Sequence, residues 1–269
     1  MLNTDKTINF KKIGLFDSGI GGFSILSELF KSLPEAEYFY ISDDAHAPYG
    51  PKSDEFITNR SIEISKQLMS MGVELIVVAC NTATAASIDA LRSYFPNFAF
   101  VGVEPYLNAY YKIPDSLAQY EKKMMVLTTV STGKSERFKR LKEKLDPKSE
   151  IDHYGLPNLA KIIEDFYYDP NDFNKFSKKI DDELLFLKNL NYSYAILGCT
   201  HYPLVKKQIE KSLNLKAISP CAHVANRVVN LLNVDKKEVN HDDFFYFLST
   251  KNNNWIKQKR GSILGPFQG

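Results

Sequence analysis

Short apolar runs alternate with amphipathic stretches along nearly the whole chain. That alternation limits the fold to mostly parallel sheets flanked by helices. The runs at 12–16, 37–42, 73–79 and 98–103 read as strands, with helices expected at 23–31, 54–71 and 82–94. Within 54–71, Phe56, Ile57, Ile62, Ile64 and Leu68 carry the helical period. Glu104-Pro105 marks a crossover, after which the pattern begins again. Strands are expected at 123–128, 151–154 and 194–197, and helices at 134–145, 159–166, 173–190 and 204–212. Pro203 suits the first turn of the last of these, where a missing N–H costs nothing. A strand at 216–219, a helix at 222–232 and a last strand at 246–249 complete the reading. The restart implies two similar α/β units facing each other. The second is too short to include everything to the C-terminus. The chain is therefore expected to cross back near residue 216, so that 1–105 plus 217–269 form one domain and 106–216 the other.

The 269 residues are 44% hydrophobic and 25% charged, enough apolar material for a sizeable core. A net charge of +2 gives no basic excess of the kind that nucleic-acid binding needs. The lysines of 139–148 are interspersed with acids and read as a solvated helix face. No apolar run approaches a membrane span, and the polar start Met1–Lys6 lacks a signal-peptide pattern. Three cysteines make no disulfide framework, and none of their spacings suits a structural zinc site. These features predict a soluble cytoplasmic protein with reduced thiols and no metal. Cys221-Ala222-His223 reads as a helix start after Pro220 rather than as part of a metal site.

Two of the cysteines occur in matched settings. Cys80 follows Val77-Val78-Ala79 and precedes Asn81-Thr82; Cys199 follows Ile196-Leu197-Gly198 and precedes Thr200-His201. Each ends a buried strand and opens a helix-like stretch, where ligands of open α/β sheets gather. A helix N-terminus offers unpaired N–H groups that favour a thiolate. One thiol per half of the chain suggests a symmetric acid/base pair. The plain alternative is two buried core cysteines.

The loop 16–22, Phe-Asp-Ser-Gly-Ile-Gly-Gly, partly imitates a dinucleotide-binding turn, with Asp43 in the place of the ribose-binding acid. The imitation fails at Ser24, where the third glycine would stand, and Asp17 would repel a pyrophosphate. A nest of N–H groups for a small carboxylate fits better, with Asp17 facing a cation or accepting a proton. Asp17 as an ordinary helix cap is the competing reading. The turn 43–50 could present the Tyr49 hydroxyl and the Gly50 N–H to a ligand, or be a surface turn. Asn81 and Thr82 beside Cys80, and Thr200 and His201 beside Cys199, are small polar groups suited to holding a carboxylate. His201 reads as part of the reacting site.

Together, 16–22, Pro48-Tyr49-Gly50, 79–83 and 198–203 resemble the glutamate racemase family. The resemblance extends over the full length and includes Val103-Glu104-Pro105. Thr129, Thr132, Ser135 and Phe138 resemble a family series spaced by three, with phenylalanine where tyrosine is usual. The resemblance implies two pseudo-symmetric α/β domains with the active site between them. It also implies racemisation of L- and D-glutamate without cofactor, supplying D-glutamate for peptidoglycan. Cys80 and Cys199 would be the acid/base pair, assisted by Asp17, His201 and Glu164. Ser18, Tyr49, Gly50, Asn81, Thr82, Thr132 and Thr200, with Asp17 and His201, would bind substrate. A homodimer is the expected assembly. Further departures are Phe23 for a usual leucine, Leu156-Pro157 where some members have Cys-Pro, and Asp44 where threonine or serine is common. Asp44 adds negative charge beside a site for an anion. Competing functions are an aspartate racemase of the same superfamily and a non-catalytic amino-acid-binding regulatory protein. A Cys–His hydrolase would need only one cysteine.

Overall fold

The computed structural model describes residues 11–113, 123–232 and 243–267; the Met1–Lys6 start lies outside them. The first strand, β1 (Lys12–Asp17), leads through the glycine loop into α1 (Phe23–Ser32). β2 (Glu37–Ser42), α2 (Asp54–Ser70), β3 (Leu75–Val78), α3 (Asn81–Tyr94) and β4 (Ala99–Gly102) follow. α2 is capped by Ser53, whose hydroxyl accepts from the Phe56 N–H, and carries Asp54 and Glu55 in its first turn.

The second series runs β5 (Met124–Thr129), α4 (Val130–Lys134), α5 (Glu136–Leu145), β6 (Ile151–Leu156), α6 (Leu159–Tyr168) and α7 (Phe173–Leu184). It continues with β7 (Tyr194–Gly198), α8 (Lys206–Leu213) and β8 (Lys216–Ile218). α9 (Cys221–Leu232), β9 (Phe244–Ser249) and β10 (Asn254–Lys259) close the order.

The strands form two sheets, ordered β10-β9-β2-β1-β3-β4 and β6-β5-β7-β8. Every pairing is parallel except β10 with β9. Numbered within its own series, each sheet repeats the neighbour order second, first, third, fourth. The restart after Glu104-Pro105 is thus a repetition of topology. Since β8 pairs with β7, the strand at 216–218 extends the second sheet, and the return to the first follows it. A continuous buried apolar cluster joins the two halves, from Leu15 and Phe23 to Leu127, Leu197 and Val228. Phe23 contributes directly: its ring lies 4.9 Å from that of Tyr40 and 5.6 Å from that of Tyr167 on α6.

Several elements differ from the sequence reading. The helix expected at 134–145 begins at Glu136, because Ser135 leaves helical geometry and caps α5 through the Phe138 N–H, and the short helix α4 precedes it. The helix expected through 190 ends at Leu184 and continues as a 3-10 turn over Leu185–Leu190. Pro203 opens a 3-10 turn, Tyr202–Val205, ahead of α8. β9 is followed by one more strand. β10 reads Asn-Trp-Ile-Lys-Gln-Lys and is mostly exposed, so it lacks the buried apolar face that signals a strand.

Candidate active site

Both cysteines stand at the carboxyl end of the third strand of their sheet, Cys80 after β3 and Cys199 after β7. All three cysteines are free, and these two are 6% and 5% exposed. Both line one cavity of about 260 Å³ that also takes in groups from α6 and from the turns after β1, β2 and β9.

Cys80 is the N-cap of α3. Its backbone is extended, and Sγ accepts from the Ala83 N–H at 3.4 Å. Ser18 Oγ lies 3.8 Å from Sγ. Burial, reinforced by the negative charge of Asp17, pushes the thiol well above its ordinary pKa, and the Ala83 N–H offsets only part of that. Asp17, the last residue of β1, is fully buried. It accepts from Ser18 N at 2.6 Å, Ser18 Oγ at 3.2 Å and Thr200 Oγ1 at 2.8 Å. Burial raises its carboxyl pKa against the lowering influence of His201 and Thr200. Asp17 does not line the cavity; it reaches it through Ser18 and Thr200, which do.

Cys199 is supported differently. His201 Nδ1 lies 3.9 Å from its Sγ, and His201 Nε2 donates to Glu164 Oε2 at 2.7 Å. Glu164 Oε2 also accepts from the Ile20 N–H at 3.0 Å, so α6 is tied to the glycine loop of the first sheet. Burial alone would lower the His201 pKa. Its hydrogen bonds and charge interactions with Cys199 and Glu164 outweigh that and hold it well above the usual value. The approach is close: a Cβ on Gly21 would lie 2.7 Å from both His201 Cε1 and Thr200 Oγ1.

Most residues picked from the sequence meet here. Ser18, Tyr49, Gly50, Asn81, Thr82, Thr200, His201 and Glu164 all line the cavity. Thr132 does not; it stands behind Thr82, their hydroxyl oxygens 3.2 Å apart. Tyr49 contributes its position rather than a free hydroxyl, which donates to Asp43 Oδ2 at 2.7 Å. Asp43 is itself held by Arg60 Nη2 at 2.7 Å and His46 Nδ1 at 3.0 Å. Burial opposes ionisation of Asp43, but the Arg60 guanidinium and the Tyr49 hydroxyl keep its pKa below the ordinary range. Thr129, seen in the sequence only as part of a spaced series, lines the cavity, and its hydroxyl donates to Thr132 Oγ1 at 2.9 Å. Lys161, Asp165 and Lys251 line it as well. They sit on an exposed helix face and a late turn, and no sequence signal marked them. Cys221 lies apart, beginning α9 with its Sγ donating to Ser24 Oγ at 3.4 Å. His223 stacks on Tyr106 with ring centroids 3.8 Å apart. Among the described residues no cluster of three or more His, Cys, Asp or Glu could hold a metal ion. No helix among them is long and apolar enough to cross a membrane.

Comparison with known proteins gives this arrangement a context. Residues 24–228 match the Asp/Glu/hydantoin racemase family. A glutamate racemase of Clostridium acetobutylicum is 36% identical over 202 residues, covering 73% of this chain and 74% of the relative. A glutamate racemase of Aliarcobacter butzleri is 34% identical over 227 residues, covering 82% and 83%. Among solved structures, Escherichia coli glutamate racemase in complex with L-glutamate and the activator UDP-MurNAc-Ala superposes with a TM-score of 0.78. It is 26% identical and the match covers 89% of each chain. The Francisella tularensis glutamate racemase in complex with D-glutamate gives 0.71 at 26% identity, over 96% of this chain and 93% of that one. A family match over most of the sequence, relatives above 30% identity and a shared two-sheet architecture agree: the chain belongs to the Asp/Glu/hydantoin racemase family and is a racemase.

Proposed function

We propose that the protein interconverts L- and D-glutamate without a cofactor, using Cys80 and Cys199 on opposite faces of the substrate Cα. The observation that carries this reading is the placement of two reduced thiols at equivalent strand ends of two sheets, both lining one cavity. One thiolate removes the Cα proton. The electron pair delocalises into the adjacent carboxylate, and the opposite thiol delivers a proton to the other face, inverting the centre. The Cα proton is a very weak acid, so donors to that carboxylate must strengthen as charge develops. Asn81, Thr82 and Thr200 are the candidates, with Ser18 and the Tyr49–Gly50 turn completing the pocket and Thr132 acting through Thr82.

The auxiliary groups follow from the contacts. Asp17 serves the Cys80 side through Ser18, and the Glu164–His201 pair serves Cys199. With Cys80 and Asp17 both buried and both shifted toward their protonated forms, something must favour charge separation on binding. The substrate ammonium does so, since a cation beside a buried acid favours its anion. On this reading the chain acts as two units, 1–105 with the segment after β8 and 106 through β8, closing around the substrate and excluding water. It supplies D-glutamate for peptidoglycan, in the cytoplasm, as a homodimer.

The test is circular dichroism of L- and D-glutamate, each incubated with enzyme in EDTA and without added cofactor, with aspartate as control. Both glutamate enantiomers should lose their signal and approach zero. Activity lost in EDTA and restored by a metal overturns the cofactor-free mechanism. Faster loss with aspartate overturns the substrate assignment.

A further inference from the structure

Asp44 is the departure that placed a carboxylate beside a site for an anion. It is 4% exposed, it lines the cavity, and its acceptor positions are filled. Oδ2 accepts from Ser249 Oγ at 2.6 Å and from the Tyr168 hydroxyl at 3.1 Å. Oδ1 accepts from Lys251 N at 3.2 Å and Thr250 Oγ1 at 3.3 Å. Three of these donors belong to the end of β9 and the turn after it, beside the turn after β2 that carries Asp44. The fourth, Tyr168, is the last residue of α6, which belongs to the other series.

α6 forms one wall of the cavity through Ala160, Lys161, Glu164 and Asp165. Tyr168 follows Glu164 by four residues, so the two stand one above the other on the same helix face. The Tyr168 ring is bracketed as well: Lys251 Nζ lies 5.4 Å from its centroid. Asp44 thus grips the C-terminal end of α6 one turn beyond the carboxylate that holds His201 against Cys199. With four donors around it, its charge is directed into these bonds instead of repelling a substrate carboxylate.

We propose that Asp44 is a positioning residue for racemisation, acting through the Tyr168 hydroxyl to hold α6, and with it the Glu164–His201 pair, against the cavity. The catalytic part of this inference rests on the two-thiol reading above. Only the Cys199 side contains Glu164 and His201, so the effect is one-sided. Racemisation itself cannot reveal that. The enantiomers have equal free energy, so kcat/KM is the same in both directions for any variant. An irreversible single-thiol reaction can. From the 3-chloro analogue of glutamate, one thiolate takes the Cα proton and that electron pair becomes the Cα–Cβ double bond. The C–Cl bond breaks, chloride leaves, and the proton stays on sulfur.

Tyr168→Phe removes only the hydroxyl; Asp44→Asn tests the other partner at the same size. The first measurement is amide hydrogen exchange, which needs no turnover. Exchange across 164–168 should quicken by about tenfold in both variants, the effect of one lost hydrogen bond, with α3 unchanged. The second is chloride release from the two enantiomers of the analogue, with Cys80→Ser identifying the enantiomer that Cys199 serves. Release from that enantiomer should fall by about tenfold and from the other by less than about twofold. Unchanged exchange in α6 overturns the anchoring. Quickened exchange with equal losses on both enantiomers overturns the positioning role. A wild-type protein that neither racemises glutamate nor eliminates chloride overturns the catalytic role of Asp44 together with the racemase mechanism. Since Tyr168→Phe leaves the Ser249, Thr250 and Lys251 donors on Asp44, it decides the matter even where Asp44→Asn fails to fold.

Discussion

Gly21→Ala tests how closely the two halves must meet. Gly21 lies in the loop between β1 and α1, and its φ is not in the left-handed region, so alanine suits the backbone. The obstacle is across the interface. The new Cβ would lie 2.7 Å from His201 Cε1 and Thr200 Oγ1, and closer still to His201 Nδ1, where ordinary contact begins near 3.4 Å. These groups must retreat by roughly 0.7 Å or more, and a close-packed interior resists that. His201 is clamped between Cys199 and Glu164, and Thr200 donates to Asp17. Neither can withdraw without breaking a contact to Cys199, Glu164 or Asp17. Overpacking of this kind costs about 1–3 kcal/mol, less about 0.4–1 kcal/mol recovered because alanine narrows the unfolded ensemble. The variant should therefore fold, with a modestly lower Tm. Its activity should fall by about 10²-fold, the usual result of displacing reacting groups by an ångström. Initial rates of D- and L-glutamate racemisation, with Tm from thermal melts, make the comparison. Near-native turnover in Gly21→Ala would refute the idea that His201 and Thr200 work from the positions described.

Three further outcomes follow from the same contacts. Cys80→Ala and Cys199→Ala should each abolish racemisation while lowering stability by only about 1 kcal/mol, since the deleted atom is single; either variant keeping near-native turnover removes the two-thiol mechanism. Glu164→Gln should lower the pH at which His201 loses its proton, because Glu164 is among the groups that raise it. A raised histidine pKa stabilises the fold fully below the unfolded value, with that stability lost as pH rises through the folded value. The Tm difference between wild type and Glu164→Gln should thus be largest in acid and shrink at alkaline pH, and an NMR titration of the ring that shows no downward shift counts against the pairing. Asp17→Asn should abolish activity yet raise Tm at neutral pH. Burial lifts the Asp17 pKa, so ionising it costs more in the folded than in the unfolded chain, and the cost is absent below the unfolded value near 3.8. A Tm gain that persists undiminished at pH 3 would point to some other cause.

The alternation of strands and helices was legible because parallel strands are buried on both faces and read as unbroken apolar runs. Cys80 and Cys199 were legible because each directly follows such a run. Beyond what the family resemblance supplied, contacts between partners distant in sequence were hidden. Asp43 and Tyr49 appear as a polar turn, and only the fold brings Arg60 from α2 to Asp43 and so commits the Tyr49 hydroxyl. Thr132 entered as a binding residue through the family resemblance, yet Thr82 stands between it and the cavity. β10 escaped notice because an exposed edge strand needs no apolar face, and the lysines that disguise it also discourage edge-to-edge pairing. Lys251 and Tyr168 were invisible for a different reason. Each is an ordinary surface residue until Asp44 joins them, and nothing local marks a carboxylate that takes its donors more than a hundred residues away.

The two sheets share a strand order and place a thiol at the same point, yet the groups behind the thiols are not equivalent. Cys80 has a helix N-terminus and a neighbouring carboxyl that opposes its ionisation. Cys199 has an imidazole held by a second carboxylate, with its proton retained to high pH. Symmetry of the scaffold therefore supplies only the placement of one thiol from each sheet at the cavity. The asymmetry matches the substrate, whose ammonium and two carboxylates cannot present the same surroundings to both thiols. On the Cys80 side a buried acid, Asp17, awaits a cation; on the Cys199 side the cation is built in as His201. On the two-thiol reading proposed above, each thiol meets one positive group once substrate is bound, one brought by the ligand and the other by the protein. Two unlike environments can in this way each serve as base in one direction and acid in the other, and the equal kcat/KM of the two directions then follows from the equal energy of the enantiomers and not from matched thiols.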